Sequence, residues 1–217
     1  MAVITVSRQY GSGGDEIVSR LCELLNYTYF DKRLLAREAS AAGLSEAEVI
    51  DAWEDNYKVT GLFERLFSRE PKRSSAARTW REVPGGAVVA EAADVDFDAA
   101  TRFVRRAIEH AYERGEIVVV GRGGQVILQD RPGVLHVRIE SPMVVRVSYV
   151  QRAENLDAGQ AEERIEQKDR AAAEYLRRYY GVDWTNPALY HLIVNAARWD
   201  CESAARLIAD ASCRLPA

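Results

Sequence analysis

Hydrophobic residues fall in this chain as short unbroken runs separated by amphipathic stretches, and the two kinds alternate almost from end to end. Val3–Val6 is an apolar, β-branched run, the composition of a buried strand. Ile17, Val18, Leu21, Leu24 and Leu25 then recur at helical spacing and predict a helix over about Asp15–Leu25. A short strand over Tyr27–Phe30 ends at Asp31, and a helix over Lys32–Ala42 stops at Gly43, a natural C′ residue. Ser45 and Glu48 form a capping box that opens a further helix through Trp53. Periodicity resumes with a helix over Asp98–Arg114, ended by Gly115, and an all-apolar strand over Ile117–Val120. After the Arg131-Pro132-Gly133 turn come a strand over Val134–Ile139 and a helix to about Ala153, with Ser141 as N-cap and Pro142 at its first position. A long helix over Ala161–Tyr180 stops at Gly181, a last strand covers Leu189–Asn195, and a last helix covers Glu202–Arg214.

Four or five strands alternating with helices predict an α/β fold built on a parallel sheet. Ligands of such sheets bind beyond the carboxyl ends of the strands, where strand order reverses. Arg8–Gly14, Asp31–Arg33 and Gly121–Gly124 all fall at such ends, so one crevice can hold all three. Between Asp55 and Asp96 the periodicity fails. Arg69, Lys72, Arg73 and Arg78 cluster there with Ser74, Ser75, Pro71, Pro84 and Gly85-Gly86. Two readings stay open for this stretch, a disordered surface loop and a flap that contacts substrate.

The chain's 217 residues lie at the upper end of a single-domain length, with 47% hydrophobic and 29% charged residues and a net charge of −4. Mild acidity argues against a dedicated nucleic-acid binder. No apolar run reaches the length of a membrane span, and the first strand begins without a signal sequence, so a cytoplasmic protein with no membrane partner is expected. Cys22, Cys201 and Cys213 have no metal-like spacing and read as reduced thiols. His110, His136 and His191 are scattered and support neither a metal site nor a triad.

Chemistry concentrates in the loop after the first strand. Gly11-Ser12-Gly13-Gly14 lets the backbone turn so that successive N–H groups face an anion at the start of a helix. A dinucleotide fingerprint fails, because Glu16 stands where the third glycine is required. A Walker A loop also fails in its chemistry, because Gly14 stands at the lysine position.

Four segments in order, SRQYGSGG, YFDKRLL, VVVGRGGQVIL and the arginine-bearing long helix with GVDW, resemble the cytidylate kinase-like family, a branch of the P-loop nucleoside-monophosphate kinases. The resemblance spans most of the chain and is weakest over 55–96. It implies a three-layer P-loop fold over residues 1–217, with about five parallel strands, an acceptor-side insert at 45–97 and a helical lid at 152–181. It implies ATP as phosphoryl donor, Mg²⁺, and a nucleotide or related small molecule as acceptor, CMP by default; oligomeric state and metal ligands stay open.

Residue by residue, Gly11, Ser12, Gly13, Gly14 and Asp15 match the donor-phosphate loop, with Gly14 replacing the family's lysine and Glu16 its Mg²⁺-binding threonine. Arg8 is the nearest cation able to replace the lysine; a salt bridge to Asp15 or Glu16 is its other reading. Gly121 and Arg122 match the pair whose arginine meets the acceptor, although Gly123 follows where the motif has aspartate. Asp31 matches an acceptor-side aspartate and equally suits a helix N-cap. Arg170, Glu174 and Arg177, at i, i+4 and i+7, share one helix face and match the steps of the family's lid set. Lys168 fits in place of Arg170 if the alignment slides, and a solvated face balanced by Glu162, Glu163, Glu166 and Asp169 is the plainer alternative. Arg152 is a further candidate for the donor phosphates. Loss of the lysine and threonine also leaves room for a catalytically weak or inactive nucleotide-binding sensor.

Overall fold

Val3–Arg8 (β1) lies at the centre of a five-stranded, all-parallel sheet in a computed structural model that describes residues 2–30, 78–82, 88–92 and 97–215. The other strands are β2 (Thr28–Phe30), β5 (Ile117–Val120), β6 (Val134–Glu140) and β7 (Leu192–Asn195), in the spatial order β2-β5-β1-β6-β7. The chain leaves β1 for the β2 side and crosses from β5 to β6 on the other, so strand order reverses at β1. Helices α1 (Gly14–Leu25) and α6 (Cys201–Ser212) cover one face, and α2 (Phe97–Arg114) and the short α3 (Gly124–Ile127) cover the other.

The pleat explains this division. Ile4 and Val6 point to one face and join Ile17, Val18, Leu21 and Ile208 there, whereas Val3 points to the other and joins Ile108, Ala111 and Leu128. Both faces of β1 and β5 are therefore dry, which is why their sequences read as continuous apolar runs. Helices α4 (Met143–Glu154) and α5 (Ala158–Tyr180) form a hairpin beside the sheet, joined through Val150, Ala161 and Ile165. Asp157 and Gln160 form a capping box that starts α5 earlier than periodicity alone predicts.

Several expectations change. A two-stranded antiparallel hairpin, β3 (Arg78–Glu82) and β4 (Val88–Ala92), occupies part of the stretch expected to be irregular. Each strand is only five residues long, too short to carry much periodic signal. Pro142, not Ser141, caps α4, its carbonyl accepting from Val145 and Arg146. Pro187–Leu189 forms a single 3₁₀ turn, which delays the last strand to Leu192. The helices expected over 32–42 and 45–53, and the basic residues 69–73, lie outside the described residues. No helix among the described residues is long and apolar enough to cross a membrane.

Candidate functional site

A cleft of about 970 Å³ opens beyond the carboxyl ends of β1, β2 and β5, with α4 and α5 forming its far wall. The loop from Arg8 to Gly14 forms its floor. Gly11 and Gly13 take left-handed conformations, φ 73° and 76°, and Gly13 caps α1 without any side chain covering the first-turn amides. Ser12 is buried in this loop, and its hydroxyl oxygen has no hydrogen-bond partner. Uncapped amides beside an unsatisfied buried hydroxyl are what an anion site offers before its ligand arrives.

Gly14 is glycine for a specific reason. A Cβ there would stand 2.9 Å from Arg8 Cβ and 3.1 Å from Arg8 Cγ. The stem of Arg8 thus occupies the space that a side chain at position 14 would need. The Arg8 guanidinium is largely covered, donates from Nε to Asp15 Oδ1 at 2.8 Å, and places Nη1 3.7 Å from where a Gly121 Cβ would be. The two readings of Arg8 are therefore compatible: it pairs with Asp15 and also reaches across the cleft floor. Glu16 accepts a short hydrogen bond from the Tyr149 hydroxyl, which pushes that phenol up to about 12.

At the end of the cleft beside β2 and β5, Gly121, Arg122 and Gly123 take φ values of 69°, 57° and 74° in succession. Left-handed backbone is costly for arginine, so this turn is held from outside. The Tyr180 ring packs on Gly123, where a Cβ would lie 2.6 Å from it, and the Tyr180 hydroxyl donates to the Arg122 carbonyl at 3.5 Å. Burial and the neighbouring Tyr175 push the Tyr180 phenol far above its ordinary value, so it stays a donor. Parallel pairing of Phe30 with Val119 brings Tyr29 and Phe30 beside this turn. Gln125, from the first turn of α3, completes this end of the cleft at 2% exposure.

The lid differs from expectation. Arg170 and Arg177 lie on the exposed face of α5, Glu174 is half-buried, and none of the three lines the cleft. Arg152 is exposed and turns back along α4, donating to the Ser148 carbonyl at 3.0 Å. Lys168, Asp169, Ala172 and Tyr175 face the cleft instead, because α5 buries Ala161, Ile165 and Leu176 and so turns that stripe inward. Lys168 is half-buried over the Tyr10 ring, 6.0 Å from ammonium to centroid. Burial, then nearby Arg164, lowers its pKa. Asp31 lies outside the described residues.

Two buried arginines that the sequence does not advertise hold the walls. Arg146 donates to Asp169 Oδ2 at 2.5 Å and to the Tyr10 carbonyl at 3.2 Å, and Asp169 Oδ1 accepts from the Tyr10 amide at 3.0 Å. Arg138 pairs with Glu140, donates to the Trp184 carbonyl at 2.5 Å and lies 4.5 Å from the Trp184 ring centroid. His136 and His191, expected to be unrelated, stack at 4.9 Å, and the His136 amide donates to His191 Nδ1. Among the described residues no cluster of three potential metal ligands occurs.

A parallel sheet with its reversal at β1, a glycine loop leading into α1 and a helical hairpin over the cleft define the P-loop kinase fold. The chain belongs to the cytidylate kinase-like family, whose profile matches residues 3–198. It is 24% identical over 210 residues to a cytidylate kinase of Aeropyrum pernix, covering 96% of this chain and 98% of that one. It is 26% identical over 114 residues to a cytidylate kinase of Methanopyrus kandleri, a match that covers 49% of this chain and spans only 56% of that relative's length. A solved structure of an uncharacterised protein from Eubacterium ventriosum superposes with a TM-score of 0.67 at 18% identity, covering 99% of both chains. Shikimate kinase from Bacteroides thetaiotaomicron superposes with a TM-score of 0.50 at 12% identity, covering 97% of each chain.

Proposed function

We propose that this protein transfers the γ-phosphoryl group of ATP to a nucleoside monophosphate, with CMP as the first acceptor to test. The observation that carries this is the exchange of places between Arg8 and Gly14. The cation missing from the loop has its space filled by the stem of another cation, entering from the end of β1. Phosphoryl transfer depends on positioning and charge stabilisation more than on covalent chemistry, so a guanidinium can serve where the ammonium is absent. ATP fits the loop: its phosphates would meet the uncapped amides of α1 and the unsatisfied Ser12 hydroxyl. Mg²⁺ takes most of its ligands from phosphate and water, and Glu16 would offer it one hard oxygen at the position of the family's threonine. When bound it would supply charge neutralisation between the phosphates. Arg122 would hold the acceptor, and Lys168, which lines the cleft, would serve as the lid cation in place of Arg170. The acceptor phosphate is already ionised and needs no general base.

The Arg8–Asp15 pair favours a second reading, in which the loop binds nucleotide without turnover because its cation is already neutralised. Incubation with ATP, Mg²⁺ and a panel of monophosphates separates the two. ADP release that falls at least a hundredfold in Arg8→Ala supports the kinase. Tight ATP binding with no ADP for any acceptor supports the sensor.

A further inference from the structure

The end of the cleft beside β2 and β5 is unevenly furnished. Tyr29, Phe30 and Val120 present rings and apolar surface there, and Arg122 and Gln125 add a guanidinium and a carboxamide. Gln125 is the unusual one. It lines the cleft at 2% exposure, and its Nε2 amide nitrogen has no hydrogen-bond partner. A carboxamide nitrogen buried with both protons unused is unfavourable unless something supplies an acceptor. The residue before it packs closely on the sheet: a Cβ at Gly124 would lie 3.1 Å and 3.4 Å from the Val119 and Thr5 side chains.

We infer that Gln125 reads the base of the acceptor nucleotide, its carboxamide donating to a carbonyl oxygen or ring nitrogen on the base edge. This rests on the phosphotransferase function proposed above and extends it to the acceptor class. A flat heteroaromatic ring carries such acceptors on its edge and apolar faces above and below. That matches an end walled by Tyr29, Phe30 and Val120 with a single carboxamide in it, while the Arg122 guanidinium suits the phosphate. A polyhydroxylated acceptor would leave most of its hydroxyls against apolar walls.

Isothermal titration of the full chain with CMP, UMP, AMP and shikimate tests this. Wild type, Gln125→Leu and Gln125→Glu are compared, and a non-hydrolysable ATP analogue is titrated in parallel. The expected result is that wild type binds at least one monophosphate. Gln125→Leu then weakens it 10- to 100-fold and flattens the ranking of the three bases, while analogue affinity stays within about twofold. Gln125→Glu, which replaces two donors by an acceptor, reorders the bases, and it decides alone if the leucine variant does not fold. Unchanged monophosphate affinity and ranking in the variants, with the analogue still bound, overturns the role of Gln125 and leaves the kinase reading standing. Binding of shikimate and of no monophosphate by wild type overturns the acceptor class. Failure of wild type to bind the analogue overturns the phosphotransferase reading itself, and this inference with it.

Discussion

Asp169 of α5 accepts a hydrogen bond from the backbone amide of Tyr10 at 3.0 Å, across 159 positions of sequence. Its second oxygen accepts from Arg146 of α4 at 2.5 Å, and Arg146 also donates to the Tyr10 carbonyl. One carboxylate thus joins the glycine loop to both helices of the hairpin. The Tyr10 amide and carbonyl, at the start of that loop, are thus tied to α5 and α4 respectively.

Removing that carboxylate leaves a guanidinium that is 5% exposed without its counter-charge. Asp169→Ala is expected to lower stability by about 3–5 kcal/mol. Asp169→Asn, which still offers an oxygen to the Tyr10 amide, should lose less. Urea unfolding of both variants measures the difference; equal, small losses would mean that Arg146 is stabilised by other groups.

The Arg8–Gly14 contact predicts a reciprocal exchange. Arg8→Ala should lower kcat by roughly 10²–10³. Gly14→Lys alone should also lose activity, because its stem meets Arg8 at 2.9 Å. The double variant should exceed both single variants by at least about tenfold, since the lysine then enters vacated space. ADP release under saturating ATP gives the cycle.

Facing determines which lid cation matters. Lys168→Ala is expected to reduce kcat about a hundredfold, whereas Arg170→Ala and Arg177→Ala should change it by less than about threefold. The contrary ranking in steady-state kinetics would show that α5 rotates during turnover.

Arg122 carries backbone strain. At φ 57° it is expected that Arg122→Gly stabilises the fold by about 1 kcal/mol while acceptor affinity falls. The thermal unfolding midpoint and the acceptor KM, measured together, should therefore both rise.

His136 gives the fold a pH dependence. Burial, then the neighbouring His191, pushes its pKa down to about 4 from its ordinary 6.5. The unfolded chain therefore binds the proton first as pH falls. Stability is full above about pH 6.5 and declines toward pH 4, by on the order of 3 kcal/mol in all. Denaturation at pH 7.5 and pH 4.5 should show a smaller difference for His136→Gln than for wild type.

How much of this was legible in the sequence follows from which signals are local. Ile117–Val120 reads as a central strand because both its faces are dry, and that leaves a continuous apolar run. The glycine loop, α1 and the Gly121-Arg122 turn are legible for the same reason, since each is specified by residues adjacent in the chain. The hairpin at Arg78–Glu82 and Val88–Ala92 is not legible because five-residue strands carry little periodic signal.

Sequence alone determined the order of elements, the glycine loop with its missing lysine, and the set of cations that share a face of α5. Tertiary structure decided which face looks inward. Helical spacing groups Arg170 with Glu174 and Arg177, but their orientation depends on where Ala161 and Ile165 find the partner helix. It likewise decided that Gln125, Asp169, Arg146 and Arg138 matter, for each is defined by a partner or by the lack of one. Burial and hydrogen bonding are relations between distant segments, and no stretch of chain records them until those segments meet.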